Sequence, residues 1–123
     1  MSLMRRLRPQ GGPPFDHIGA ADAAAAVDAG AVLLDVREPG EWNAGRAPQA
    51  WHLPMGQLAD GHSKLPRDKR IVVVCRSGNR SARACQHLAR EGFDVANLEG
   101  GMVAWARAGL PVVAGNGLPG RIA

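Results

Sequence analysis

The 123-residue sequence has no tyrosine, two phenylalanines and two cysteines. Two thiols make no disulfide framework, and a chain of this length can bury a core without covalent staples. So few aromatic rings leave no stacking platform for single-stranded nucleic acid. The net charge of +4 is spread along the chain, with much of the excess at Arg5, Arg6 and Arg8, and so names no nucleic-acid partner. No apolar run approaches the roughly 18 residues needed to cross a bilayer. The basic start, MRRLR, lacks the apolar segment and cleavage site of a secretory signal. These absences point to one cytoplasmic domain with no membrane and no nucleic acid among its partners; a monomer or weak dimer is the expectation for its assembly.

What is present alternates between strand and helix signals. Residues 1–14 are punctuated by Pro and Gly and read as a flexible leader, residues 15–113 as the folded domain, and residues 114–123 as a flexible tail. Within the domain, FDHI, AVLLDV, WHLP, IVVVC and DVANL read as strands. Helical patterns lie between them, over 20–29, within 37–50, over 55–61 and 81–92, and then over 100–109. Continuous apolar strands separated by helices predict an α/β fold, a mainly parallel sheet covered on both faces. Ligands of such sheets bind beyond the carboxyl ends of the strands. Cys75 occupies one of those ends.

The stretch IVVVCRSGNRSARAC, residues 71–85, therefore carries the chemistry. After Cys75 come Arg76, Ser77, Gly78, Asn79, Arg80 and Ser81. Gly78 frees the backbone for a tight turn, and Ser81 or Asn79 can cap the following helix. A loop curling into a helix N-terminus aims several N–H groups at one spot, which attracts anions. A cysteine there gains from the helix dipole and from Arg76 and Arg80, so its thiolate is favoured. The competing reading makes Cys75 one more small buried hydrophobe. Strand end, glycine and two flanking arginines together favour the nucleophile.

Three motifs then resemble the rhodanese (sulfurtransferase) family: CRSGNRS its active-site loop, LLDVREPGEWNAGR its upstream signature, and LEGGMVAWARAGLPV its closing motif. They occur in the family's order across most of residues 15–113. The resemblance implies a three-layer sandwich with a central, mostly parallel five-stranded sheet flanked by helices. It implies no cofactor. It also implies that Cys75 attacks the outer sulfur of a small anionic donor such as thiosulfate and holds a persulfide, which a thiol, possibly on a protein, or cyanide then discharges. The amides of residues 76–81 would cradle the sulfur, and Arg76 and Arg80 the donor's sulfonate, although Arg76 reads equally well as a solvated loop cation. Asp35 and Arg37, with Glu38 and Glu41, resemble the family's polar cluster and are given a supporting role that ties neighbouring loops together. Gly45-Arg46-Ala47 and Pro48-Gln49-Ala50 depart from the family's Gly-His-Ile and Pro-Gly-Ala.

Two rival functions stand beside this one. A non-catalytic sulfur carrier or regulatory module would use the same loop by protein contact. A cysteine phosphatase or arsenate reductase is the weaker rival, because phosphatases of similar fold carry five residues between cysteine and arginine, whereas Cys75 and Arg80 enclose four. GNGLPG at 115–120 matches a nucleotide-loop pattern literally but contains Pro119 and precedes no helix. Cys85 falls with Ala82, Leu88 and Ala89 on what reads as a helix's inner face, and is expected to be inert. His17, His52, His62 and His87 lack ligand spacing, so no metal is expected. Trp42, Trp51 and Trp105 are read as core or rim packing.

Overall fold

The computed structural model describes residues 13–123, so the expected leader lies outside the described residues except for Pro13 and Pro14. Five strands, β1 (Asp16–Ile18), β2 (Val32–Asp35), β3 (Trp51–His52), β4 (Ile71–Val74) and β5 (Val95–Leu98), form one sheet in the order β1-β5-β4-β2-β3. Every pairing is parallel. The helices are α1 (Ala20–Asp28), α2 (Pro39–Ala44), α3 (Leu58–Gly61), α4 (Asn79–Arg90) and α5 (Gly101–Arg107). Among the described residues no helix is long and apolar enough to cross a membrane.

All four residues of β2, β4 and β5 are buried, which explains why these segments read as largely apolar rather than alternating, with Asp35 and Asn97 as their polar members. Side chains still alternate between faces. Leu33, Val72 and Val74 pack with Ala23, Met102 and Trp105 of α1 and α5. Leu34, Val73 and Cys75 pack on the opposite face with Ala84, Cys85 and Leu88 of α4. Parity thus puts the Cys75 side chain on the α4 face. The strand order also matters: after β2 the chain moves outward to β3, whereas after β4 it moves the other way to β5. The carboxyl ends of β2 and β4 are therefore the switch point at which open α/β sheets form a crevice.

The segment read as a trailing tail, 114–123, instead folds back on the domain. Arg46 and Val113 exchange both backbone hydrogen bonds at 2.9 Å, and Gly115 and Arg121 donate to the carbonyls of Asn43 and Ala44. Gly45 permits this, because a Cβ there would run into the Arg121 backbone. The turn within the segment is made by Gly117 at φ +82°. GNGLPG is thus turn chemistry for a backbone seam, which composition alone does not reveal.

Candidate active site

Cys75 ends the central strand and is 1% exposed. Its carbonyl and that of Arg76 accept hydrogen bonds from Met102 N–H at 2.8 Å and Val103 N–H at 3.1 Å, in the first turn of α5. This close approach needs Gly101, at φ +60°, since any Cβ there would strike the Cys75 and Arg76 carbonyl oxygens. With its carbonyls drawn toward α5, the loop turns its amides inward. Gly78 at φ +110° completes the curl and is itself the residue preceding the helix. Helix α4 accordingly starts at Asn79, two residues before the expected 81, and neither Asn79 nor Ser81 caps it.

Freed from capping, Ser81 serves the sulfur. The Gly78 N–H donates to Cys75 Sγ at 3.1 Å, and the Ser81 hydroxyl lies 3.3 Å from the same atom. The hydroxyl is also 2.5 Å from Asn97 Oδ1. Asn97 Nδ2 in turn donates to the Gly78 carbonyl at 3.2 Å, so one buried side chain braces both the hydroxyl and the turn. Burial pushes the Cys75 thiol up, but the Ser81 hydroxyl and the N–H groups of Ser81, Gly78 and Ser77 outweigh it, and the pKa falls below the ordinary thiol value. Local hydrogen bonds, more than the flanking arginines, thus favour the thiolate.

Both arginines, expected to cradle a donor's sulfonate with Arg76 reading equally well as a solvated cation, have partners within the chain. Arg80 makes a two-pronged ion pair with Glu41, Nη1 to Oε1 at 2.7 Å and Nη2 to Oε2 at 2.8 Å. The Arg80 hydrogen bonds are the main reason that the Glu41 pKa drops to about 2, against opposing desolvation. Arg76 is exposed and donates from Nε to the Ala123 carbonyl at 3.0 Å. Ser77 and Asn79 line, with Gly78, Asn97 and His17, a hollow of about 220 Å³ beside the loop.

Asp35 and Arg37 are both fully buried at the end of β2. Arg37 Nε and Nη2 bind the Asp35 carboxylate at 2.9 and 2.7 Å, and Nη2 also donates to the Gly45 carbonyl at 2.7 Å. A weaker contact reaches the Glu41 carbonyl at 3.4 Å. The pair thereby holds α2, and α2 carries Glu41 to Arg80. Glu38 and Glu41 form the capping box at the start of that helix. Trp105 is fully buried, while Trp42 stacks on His52 at 4.4 Å and Trp51 is 48% exposed.

Residues 19–108 match the family described as Rhodanese-like domain. The chain belongs to that family. A protein named "Sulfurtransferase" from Allochromatium vinosum is 46% identical over 87 residues, covering 70% of this chain and 81% of that protein. A rhodanese-related protein from Thermoplasma volcanium superposes with a TM-score of 0.76 at 37% identity, over 80% of this chain and 98% of that one. A rhodanese-like domain protein from Staphylococcus aureus gives a TM-score of 0.69 at 29% identity, over 74% and 91% of the two chains.

In this rhodanese-like domain the fold brings together the loop of residues 75–81 and, through Glu41, the α2 loop held by Asp35 and Arg37. Asn97 escaped sequence reasoning, being legible only as a polar residue inside an otherwise apolar strand, while Glu41, read as a member of the supporting cluster, was not matched there to Arg80. Cys85 is fully buried and its thiol is pushed up to about 12, chiefly by desolvation. The four histidines, though scattered in sequence, do not all stay apart: His62 and His87 meet, with Glu91, far along α4 from the loop.

Proposed function

We propose that this rhodanese-like domain is a sulfurtransferase that carries sulfane sulfur as a persulfide on Cys75. The observation that supports it is the pair of donors, Gly78 N–H and Ser81 Oγ–H, directed at Sγ. In the first step the Cys75 thiolate forms a bond to the outer sulfur of thiosulfate or a related anion. The sulfur–sulfur bond of the donor breaks, its electron pair leaves with sulfite, and the enzyme holds Cys75–S–S⁻. In the second step a thiolate, or cyanide, attacks the terminal sulfur and returns Cys75 as thiolate, forming a new persulfide or thiocyanate. No net redox equivalent and no cofactor are needed. The terminal sulfur would sit one bond beyond Sγ, among the N–H groups of Ser77, Gly78 and Ser81 that already favour negative charge on Sγ.

A sulfur carrier charged by another protein is the second reading, and Arg80 favours it. A small sulfonate would have to draw Arg80 away from a two-pronged carboxylate, whereas a protein donor presents its sulfur without needing that cation. Phosphoryl chemistry is less well served. It wants a protonated acid near the leaving group, but Glu41 stays ionised down to about pH 2 and Asp35 is locked to Arg37.

Intact mass of the reduced protein after thiosulfate treatment tests the proposal, with Cys75→Ser and Cys85→Ser beside it. Expected is a gain of one sulfur atom that needs Cys75 but not Cys85 and is lost on adding cyanide or a thiol. A gain only from a persulfidated protein donor would select the carrier reading. Gain from neither source would overturn both.

A further inference from the structure

Outside the Cys75 loop, one set of chemistry-bearing side chains converges without a role in sulfur transfer. His87 and Glu91 are four residues apart at the C-terminal end of α4, which places them on one face. His62 opens the short 3₁₀ turn His62–Lys64 that follows α3, and its ring meets His87 edge-on with centroids 5.3 Å apart. One ligand atom from each of the three residues lies within 4.8 Å of the others. His62 Nε2 is 3.9 Å from Glu91 Oε1.

Ring packing alone does not account for this cluster. His62 Nδ1 and His87 Nε2 are buried and have no hydrogen-bond partner, although buried polar atoms are nearly always paired. The surroundings hold the pieces in place: Phe93 packs edge-on against His62 at 6.0 Å, and Arg67 lies over the Phe93 ring at 4.1 Å while donating to the Glu91 carbonyl at 2.6 Å. Two imidazoles and a carboxylate with unused donor capacity are the ligand set of a transition-metal ion.

We propose that His62, His87 and Glu91 bind one divalent transition-metal ion of the zinc class, independently of the Cys75 chemistry. Nitrogen-rich donors suit zinc and its neighbours rather than calcium or magnesium, which prefer all-oxygen shells. Bonds of about 2.0–2.1 Å in a tetrahedron set donor atoms about 3.4 Å apart. His62 Nε2 and Glu91 Oε1 are 3.9 Å apart, and Glu91, 43% exposed, has room to rotate toward the shorter spacing. Three protein ligands leave a fourth position for water or an anion. The ion ties the turn at residues 62–64 to the end of α4, two segments otherwise joined only by packing and the long His62–Glu91 contact.

The test uses the full chain without a histidine tag and with Cys75→Ser, which removes a competing thiolate, titrated with Co²⁺ and then Zn²⁺. Expected is one Co²⁺ per chain with the visible absorption of a four-coordinate site, displaced by Zn²⁺, and a higher unfolding temperature with Zn²⁺ present. His62→Ala and His87→Ala should abolish binding, and Glu91→Gln, at an exposed position, should weaken it at least about tenfold. Should either histidine variant fail to fold by circular dichroism, Glu91→Gln decides alone. Absence of one-to-one binding by either ion overturns the proposal. So does binding that Glu91→Gln leaves unchanged.

Discussion

Replacing Ser81 by alanine removes a hydroxyl that lies 3.3 Å from Cys75 Sγ and 2.5 Å from Asn97 Oδ1. A hydroxyl has one proton, so it serves one of these acceptors at a time. Beside a thiol the proton belongs to Asn97; beside a thiolate the charged sulfur competes for it. A hydrogen bond to a charged group contributes about 1.5–3 kcal/mol, and surrendering the neutral bond to Asn97 offsets about 0.5–1.5 kcal/mol of that. The remainder, about 1–1.5 kcal/mol, corresponds to a roughly tenfold change in thiolate fraction. Ser81→Ala should therefore raise the Cys75 pKa.

The assay is the pH dependence of alkylation by iodoacetamide, a neutral reagent. Cys85 stays silent because it is fully buried with its thiol pushed up to about 12. A more basic thiolate is also a better nucleophile, with a Brønsted coefficient of about 0.4–0.5, which returns a factor of roughly two to three. Below both pKa values the variant should thus react about three- to fivefold more slowly. Above both, where each protein is fully thiolate, it should react about two- to threefold faster, so the two profiles cross. Superimposed profiles would refute the role given to Ser81. A uniform slowing at every pH would mean that the substitution damages the loop rather than the charge balance.

Three further outcomes follow from the same geometry. Glu41→Gln removes the anchor of Arg80; because the folded pKa of Glu41 lies at about 2 against an ordinary 4.5, its stabilisation is full above pH 4.5 and is lost as pH falls through about 2. Urea unfolding should show a deficit of about 1–2 kcal/mol at neutral pH, after discounting for partial exposure, and little of it near pH 2. Arg37→Met leaves the Asp35 carboxylate buried without a cation, holding the residue 37 N–H at 3.0 Å, and should cost about 3–5 kcal/mol, much of it recovered by adding Asp35→Leu, as measured by chemical denaturation. Gly101→Ala forces a Cβ into the Cys75 and Arg76 carbonyl oxygens at a left-handed φ, so thermal melting should show a loss of at least about 1–3 kcal/mol and alkylation of Cys75 should slow.

The sheet was legible because β2 and β4 are buried on both faces, and residues that must be apolar on both sides announce themselves as unbroken runs such as IVVV and VLL. The helix starts were less so. Asn79 is helical because Gly78 adopts φ +110°, and a glycine permits that conformation without requiring it. Ser81 reads as a cap from its position alone, since local preference knows nothing of a sulfur six residues earlier. Asn97 and Glu41 act through partners 16 and 39 residues away, and nothing at that range has a period. The same holds for residues 114–123, where low local order in the sequence gives way to backbone pairing with Asn43 and Ala44.

On the proposed persulfide cycle, Glu41 bears most directly on how sulfur would reach Cys75. Its bond to Arg80 holds the loop's main cation 30% exposed and already neutralised, at the mouth of a site whose nucleophile is 1% exposed. A free anion such as thiosulfate must break a two-pronged ion pair to use Arg80. Glu41→Gln weakens that pair and removes one negative charge. If thiosulfate is the donor, the variant should load sulfur from it at a lower donor concentration than the parent, with the rate at saturation nearly unchanged. If the sulfur comes by protein contact, the arginine has no anion to receive, and the substitution should leave loading from a persulfidated protein unimproved.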